Sequence, residues 1–135
     1  METVKTVIDT DLLIDLLRNQ PQATAFITKL EEKNYILSTT AVNIFELHHG
    51  AHKSQESEKN LQAIHVLISR LSILPFTSKS AQKAGHIYAQ LERQGQPIGL
   101  RDTFIAAIAI TRECSIATRN QTDFNRISGL EIITP

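Results

Sequence analysis

The run Val4-Lys5-Thr6-Val7-Ile8-Asp9-Thr10-Asp11-Leu12-Leu13-Ile14-Asp15-Leu16-Leu17 decides how this 135-residue chain is read. Val4, Thr6, Val7 and Ile8 favour extended backbone, because branching at Cβ restricts χ1 and suits a pleated surface. Past Asp9 the apolar period changes, and Leu12, Leu13, Leu16 and Leu17 recur at helical spacing. The stretch predicts strand, turn, helix, with Asp9 where the strand ends.

The same alternation continues outward. Pro21 takes a first-turn position in a helix that carries Ala25, Phe26 and Leu30 to Lys33, and Tyr35 to Leu37 predict a short strand. Ser38, Thr39 and Thr40 supply capping hydroxyls before a helix with Ala41, Ile44, Phe45 and Leu47, interrupted around Gly50. Lys53 to Lys59 reads as a polar turn, Leu61 to Leu71 as a helix and Ile73 to Phe76 as a strand. An amphipathic helix from Ser80 to Arg93 closes at Gly95 and Pro97. Phe104 to Ile110 is apolar nearly all round, the mark of a helix buried between layers. Ser115 to Ala117 predict a strand, Thr118 to Asn125 a polar turn, and Ile132 with Ile133 a last strand. Strands alternating with helices predict an α/β fold with three layers, α/β/α, around a mainly parallel central sheet, as one domain over residues 1–135.

Composition narrows the function. With 14 Lys+Arg against 14 Asp+Glu, the chain lacks the excess of cationic side chains on which a general nucleic-acid coat protein depends. A nuclease is not excluded, because a bound metal ion supplies positive charge that the sequence does not. Cys114 is the sole cysteine, which rules out intrachain disulfides and Cys-cluster zinc sites and fits a reducing cytoplasm. The longest apolar stretch, Phe104 to Ile110, falls far short of the roughly 18 residues of a membrane span. The start, Met1-Glu2-Thr3-Val4-Lys5, shows no basic segment followed by a long apolar run, so a cytoplasmic protein without membrane attachment is expected.

In parallel sheets ligands bind beyond the carboxyl ends of the strands. Asp9 ends the first strand, where a carboxylate has little structural work to do. Asp11 sits at a helix start and reads equally as a capping residue or as support for a site; Asp15, one turn on, reads as solvated. Glu46 lies inside a largely apolar segment, but at 100° per residue Ile44 and Phe45 fall toward the far side, so simple exposure stays open. Asp102 opens the apolar helix, where on its own the helix dipole accounts for it. Asp123 follows a strand within Thr118-Arg119-Asn120-Gln121-Thr122-Asp123-Phe124 and alone reads as a turn residue. Together Asp9, Glu46, Asp102 and Asp123 can converge at one sheet edge. Carboxylates so placed repel and raise each other's pKa unless cations intervene, and an oxygen-rich set of this kind suits Mg²⁺ or Mn²⁺.

Four stretches carry a resemblance to a known family: Val7-Ile8-Asp9-Thr10-Asp11-Leu12-Leu13-Ile14; Asn43-Ile44-Phe45-Glu46-Leu47 with Gly50-Ala51; Gly99-Leu100-Arg101-Asp102-Thr103-Phe104-Ile105-Ala106-Ala107; and Ala117-Thr118-Arg119-Asn120-Gln121-Thr122-Asp123-Phe124. In order and spacing they resemble the motifs of PIN-domain ribonucleases, in particular the VapC toxins of prokaryotic toxin-antitoxin pairs, over almost the whole chain. The resemblance implies a metal-dependent endoribonuclease acting on structured cellular RNA, commonly transfer RNA, restrained by a partner antitoxin, and a homodimer. By position it implies that Asp9, Glu46, Asp102 and Asp123 form the acidic metal-binding and catalytic quartet, accompanied by Thr118 and Asn120. Asp11 stands at a position that varies in the family.

Two other classes compete. Asp9-Thr10-Asp11 after a strand imitates the nucleophile and acid pair of haloacid dehalogenase-like phosphohydrolases, although Leu13 stands where Thr or Val is expected and no later paired-Asp motif appears. A non-catalytic PIN module that only binds RNA or protein is the third reading, and the intact quartet speaks against it. His48 and His52, one helical turn apart, invite zinc, but the usual intervening Glu is absent and no third ligand is indicated. Relative to Glu46, His49 lies about 60° around the helix, against about 160° for His48 and 120° for His52, so only His49 is placed near the site. Arg101 and Arg119 flank the motif residues and read equally as RNA-phosphate contacts or as surface ion pairs.

Overall fold

Strand β1 (Lys5–Ile8) runs through the middle of a five-stranded sheet, between β2 (Ile36–Thr40) and β4 (Ser115–Ala117), with β3 (Ser72–Leu74) beyond β2 and β5 (Ile132–Ile133) beyond β4, and every pairing is parallel. The structure is a computed structural model that describes residues 4–135; Met1, Glu2 and Thr3, on which the reading of the amino terminus partly rests, lie outside the described residues. After β1 come α1 (Thr10–Leu17), α2 (Pro21–Glu32), β2 (Ile36–Thr40), α3 (Ala41–Lys53), α4 (Ser57–Ile68), β3 (Ser72–Leu74) and α5 (Ser78–Arg93). Then follow α6 (Leu100–Thr111), β4 (Ser115–Ala117), α7 (Gln121–Phe124) and β5 (Ile132–Ile133).

The two-residue period of the strands sorts side chains to opposite faces. Val7 and its register partner Ile116 pack with Ala84, Ile87 and Leu91 of α5 and Ile105 and Ile108 of α6. Ile8 and Ala117 face the other way, onto Leu12 and Leu13 of α1, Leu30 of α2, Leu47 of α3 and Ile64 of α4. Helices therefore cover both faces, as expected for α/β/α layering. Helix α6 is the buried one: Ile105, Ala106, Ala107, Ile108 and Ala109 have no solvent exposure. Gly95 follows α5 with φ +67, which lets the chain reverse into α6 without the Cβ clash of an L residue.

The structure corrects several local expectations. Strand β2 extends through Ser38, Thr39 and Thr40 rather than stopping at Leu37. Polar side chains can occupy this buried strand because the Ser38 and Thr39 hydroxyls donate to Thr6 O and Ile8 O of β1, at 2.8 and 3.0 Å. Only Thr40 caps the next helix, in a capping box with Asn43. Gly50 does not interrupt α3; burial of Leu47 and Ala51 on either side outweighs the roughly 1 kcal/mol helix cost of a glycine. The stretch read as a turn from Lys53 to Lys59 closes α3 and opens α4. The segment after β4 contains the short helix α7, pinned by fully buried Phe124.

Candidate active site

Chain connections leave β1 for β2 on one side, while β4 adds on the other, so the crevice between the carboxyl ends of β1 and β4 is the topological switch point of the sheet. Asp9 and Thr118 stand there. The Asp9 amide donates to Ala117 O at 2.9 Å, and the Thr118 hydroxyl donates to Asp9 Oδ2 at 2.7 Å. Asp9 is also the N-cap of α1, its Oδ1 accepting from Thr10 N at 2.8 Å. The expectation that a carboxylate here does little structural work is therefore wrong: it closes the strand and opens the helix. At 6% exposure the buried carboxyl is pushed up from 3.8 to about 7, chiefly by loss of solvent. The Thr118 hydrogen bond opposes that shift, and the charges of Asp11 and Asp102 add to it.

Glu46 is turned toward Thr10 at the start of α1, which resolves the ambiguity of the helical arithmetic. The Thr10 hydroxyl donates to Glu46 Oε1 at 2.7 Å, while Arg101 Nε stands 3.4 Å from Glu46 Oε2. Fully buried Asn43 joins the two acids, its Nδ2 donating to Thr10 Oγ1 at 2.9 Å and to Asp9 Oδ1 at 3.3 Å. Asp102 lies in the first turn of α6. Its carboxyl is pushed up to about 6, by burial first and then by the charges of Glu46 and Asp123, with Arg101 opposing. Asp123 rides α7, where Asn120 caps the helix, accepting from Asp123 N at 3.4 Å and donating Nδ2 to Asp123 Oδ2 at 3.3 Å. Arg126 Nη1 approaches Asp123 Oδ1 at 3.8 Å. Thr118 ties this group back, accepting from Asn120 N at 3.0 Å.

The remaining candidates fall around this core. Asp11 is not the helix cap; its Oδ2 accepts from Arg119 N at 3.0 Å, which fastens the loop after β4 to α1, and its Oδ1 is buried without a partner. Asp15, read as solvated, pairs with Arg119 Nε at 3.2 Å, so Arg119 is engaged by acids of α1. His48 Nδ1 lies 2.9 Å from Ile44 O of its own helix, and His52 is exposed. His49 lines a cavity of about 380 Å³ with Thr10, Glu46, Lys53 and Arg101. Thr10, Asn43 and Arg126 were not singled out from the sequence. Asn43 had a signal, since it follows Thr40 at capping-box spacing.

Asp102 is thus an acid whose charge is opposed by burial and by three neighbouring acids, Glu46, Asp123 and Asp11, with buried Asp9 in electrostatic contact. Carboxylate, hydroxyl and amide oxygens are the donor set of a hard divalent cation, and the unpartnered Asp11 Oδ1 adds another oxygen, so the residues fit such an ion. Among the described residues no three His, Cys, Asp or Glu side chains form a ready-made coordination group. Glu46 and Asp123 lean instead onto Arg101 and Arg126, the arrangement mutual repulsion favours.

A pH-dependent stability follows. The folded Asp9 pKa lies above its unfolded value, so the proton favours the folded state. Its contribution is full below about pH 4 and is lost as pH rises through about 7. Asp9→Asn removes that loss, and in chelator its stability relative to wild type should rise across this window by at most about 4 kcal/mol. Thermal melts from pH 4 to pH 8 measure the difference. A variant that melts clearly below wild type at pH 8 would contradict the crowding of acids around Asp9.

The PIN domain family model matches residues 6–130. The chain belongs to the PIN-domain family. Within it, the chain is 35% identical over 127 residues to the tRNA(fMet)-specific endonuclease VapC of Shigella flexneri, covering 94% of this chain and 95% of the relative. Against the protein of the same name from Salmonella typhimurium it is 33% identical over 129 residues, 96% of each. Among solved structures, VapBC2 from Rickettsia felis bound to a promoter DNA fragment superposes with a TM-score of 0.90 at 26% identity, covering 98% of this chain and 99% of that one. DNA-bound VapBC from Salmonella typhimurium gives 0.88 at 32% identity, covering 98% of each. Among the described residues no helix is long and apolar enough to cross a membrane.

Proposed function

We propose that this chain is a divalent-metal-dependent endoribonuclease, the toxin of a VapBC-type pair, acting in the cytoplasm as one domain over residues 1–135. The observation that carries the reading is Asp9, buried at the switch point and hydrogen-bonded by Thr118 and Asn43, with half-buried Asp102 near enough for its charge to oppose the ionisation of Asp9, a repulsion that a cation would relieve. Transfer RNA is the proposed substrate class, since the Shigella and Salmonella relatives bear that specificity in their names.

Asp9, Glu46, Asp102 and Asp123 would hold Mg²⁺ or Mn²⁺, which when bound lowers the pKa of a water and offsets charge on the phosphoryl transition state. Thr118 and Asn43 keep the Asp9 carboxylate aimed into the crevice, and Thr10 does the same for Glu46. Asp11 and Asn120 keep the loop after β4 in register with α1. Arg101, beside Glu46 and half-exposed, is free to turn toward an RNA phosphate; Arg119 would first have to leave Asp15. Incubating labelled transfer RNA with the purified chain should give discrete cleavage with Mg²⁺ or Mn²⁺ and none in excess chelator. Cleavage that persists in chelator refutes the metal mechanism. The haloacid dehalogenase-like reading has no support in the family match, and calorimetric Mn²⁺ binding separates an enzyme from a non-catalytic PIN module.

His48→Ala and His52→Ala should keep most activity, because neither ring reaches the carboxylates. Loss of bound zinc together with activity in either variant would overturn that assignment.

The partner proposed is a separate antitoxin. A groove of about 240 Å³, lined by Ile14, Leu17, Leu47, Ala51 and Ile64 together with Arg18 and Asn60, shares Gly50 and Ser54 with the cavity that contains Glu46. A segment poorly ordered alone could lie along it and bring an arginine to the acids, whose forked donors match carboxylates better than lysine does. Arginine and metal then compete, so raised Mn²⁺ should weaken inhibition. Full protection by an antitoxin stripped of arginines in its binding segment would remove the charge mimicry. The proposed homodimer is tested by sedimentation.

A further inference from the structure

Beside the acids, α3 presents an aromatic pair that the proposed chemistry does not use. Phe45 and His49, one turn apart, stack with ring centroids 5.9 Å apart and planes 16° from parallel. Phe45 is 55% exposed, an unusual state for a large apolar side chain. The pair lies between two open cavities. One is lined by His49, Glu46, Lys53 and Arg101; the other, of about 520 Å³, by Phe45, Glu46, Leu100, Arg101 and Asp102. Arg101 and Glu46 belong to both, so the exposed rings, a guanidinium and the carboxylates share one continuous surface.

We propose that the Phe45–His49 pair is a stacking shelf for an unpaired nucleobase of the RNA substrate next to the scissile phosphate, with Arg101 and Lys53 meeting the adjoining backbone phosphates. This rests on the ribonuclease reading. Single-stranded RNA is held by flat aromatic faces flanked by cations, because every base has a π face and every nucleotide a negative charge. The shelf has both, and it continues directly into the acids. An acidic or purely apolar peptide would find only half of this surface complementary. Phe45 and His49 are positioning residues here, not catalytic ones. Their prediction is a dependence of cleavage on an unstacked base adjoining the cut, a specificity that the carboxylates cannot impose.

The chain has no tryptophan, so Phe45→Trp installs a single fluorescent reporter that can still stack. In an Asp9→Asn background, expected to slow cleavage greatly, and with chelator present, a short single-stranded RNA of mixed sequence should quench that fluorescence, and the same strand with abasic riboses should quench it far less. In the otherwise wild-type chain, Phe45→Leu, apolar but unable to stack, should raise KM roughly tenfold with kcat changed little, and Phe45→Trp, which restores a stacking face, should have a KM well below that of Phe45→Leu. Unchanged melting temperatures for both variants keep a folding defect out of the comparison. Equal quenching by the abasic strand, or an unchanged KM for Phe45→Leu while the parent cleaves RNA, overturns the shelf and leaves the ribonuclease reading standing. Emission that shifts with protein concentration and not with RNA would show a second copy covering Phe45, which also overturns it. A parent chain that neither binds nor cleaves RNA removes both readings.

Discussion

Asp9→Asn is expected to lower RNA cleavage by on the order of a hundred- to a thousandfold or more while leaving the fold intact. The amide keeps the shape and can still accept from Thr10 N, as Asp9 Oδ1 does at 2.8 Å, so the cap of α1 survives; Asn is as good an N-cap as Asp. The Thr118 hydroxyl, 2.7 Å from Asp9 Oδ2, can rotate its proton toward Asp11 Oδ2 at 3.4 Å and accept from the new amide. What disappears is the negative charge, which a hard cation requires. Single-turnover cleavage with saturating Mn²⁺, paired with circular dichroism, separates lost chemistry from lost structure. Near-wild-type cleavage by a folded variant would remove Asp9 from the proposed metal site.

The second large effect concerns Asn43, whose side chain is fully buried and makes bonds in two directions. Oδ1 accepts from Thr40 N at 3.1 Å and Thr40 Oγ1 at 2.7 Å; Nδ2 donates to Thr10 Oγ1 and Asp9 Oδ1. Asn43→Ala removes the capping box, orphans a buried backbone N–H and strips a donor from a buried carboxyl. Losses of this kind total about 2–4 kcal/mol. For a chain of this size that corresponds to a fall in Tm of roughly 5–15 °C. Asn43→Asp should cost more at neutral pH, because it keeps the acceptor, loses both donors and places a further charge against Asp9. Its deficit should shrink toward pH 4 as the acids are protonated. Thermal melts of both variants at pH 4 and pH 7.5 test this. An Asp variant at least as stable as the Ala variant at pH 7.5 would show that Asn43 does not carry the link between the acids.

Much of this protein is legible locally. The change of period at Asp9, the all-round apolar helix from Phe104 and the exact span of strand Ser115 to Ala117 are written in short windows, because helix and strand periods are properties of neighbours along the chain. Only the assembled fold shows what the polar residues do. Strand β2 keeps Ser38 and Thr39 because their hydroxyls reach carbonyls of β1, and α3 passes through Gly50 because the core on either side holds it. The partners at the candidate site lie far apart in sequence: Thr118 meets Asp9 across 109 positions and Thr10 meets Glu46 across 36. Residue types and order along the chain name the four acids, but hydrogen-bond partnership and desolvation depend on which strands become neighbours. The parallel pairing of β1 with β4 therefore decided that Thr118 reaches Asp9 and that Asp15 is paired with Arg119 rather than solvated, and the parallel pairing of β1 with β2 decided that Asn43 joins two of the acids.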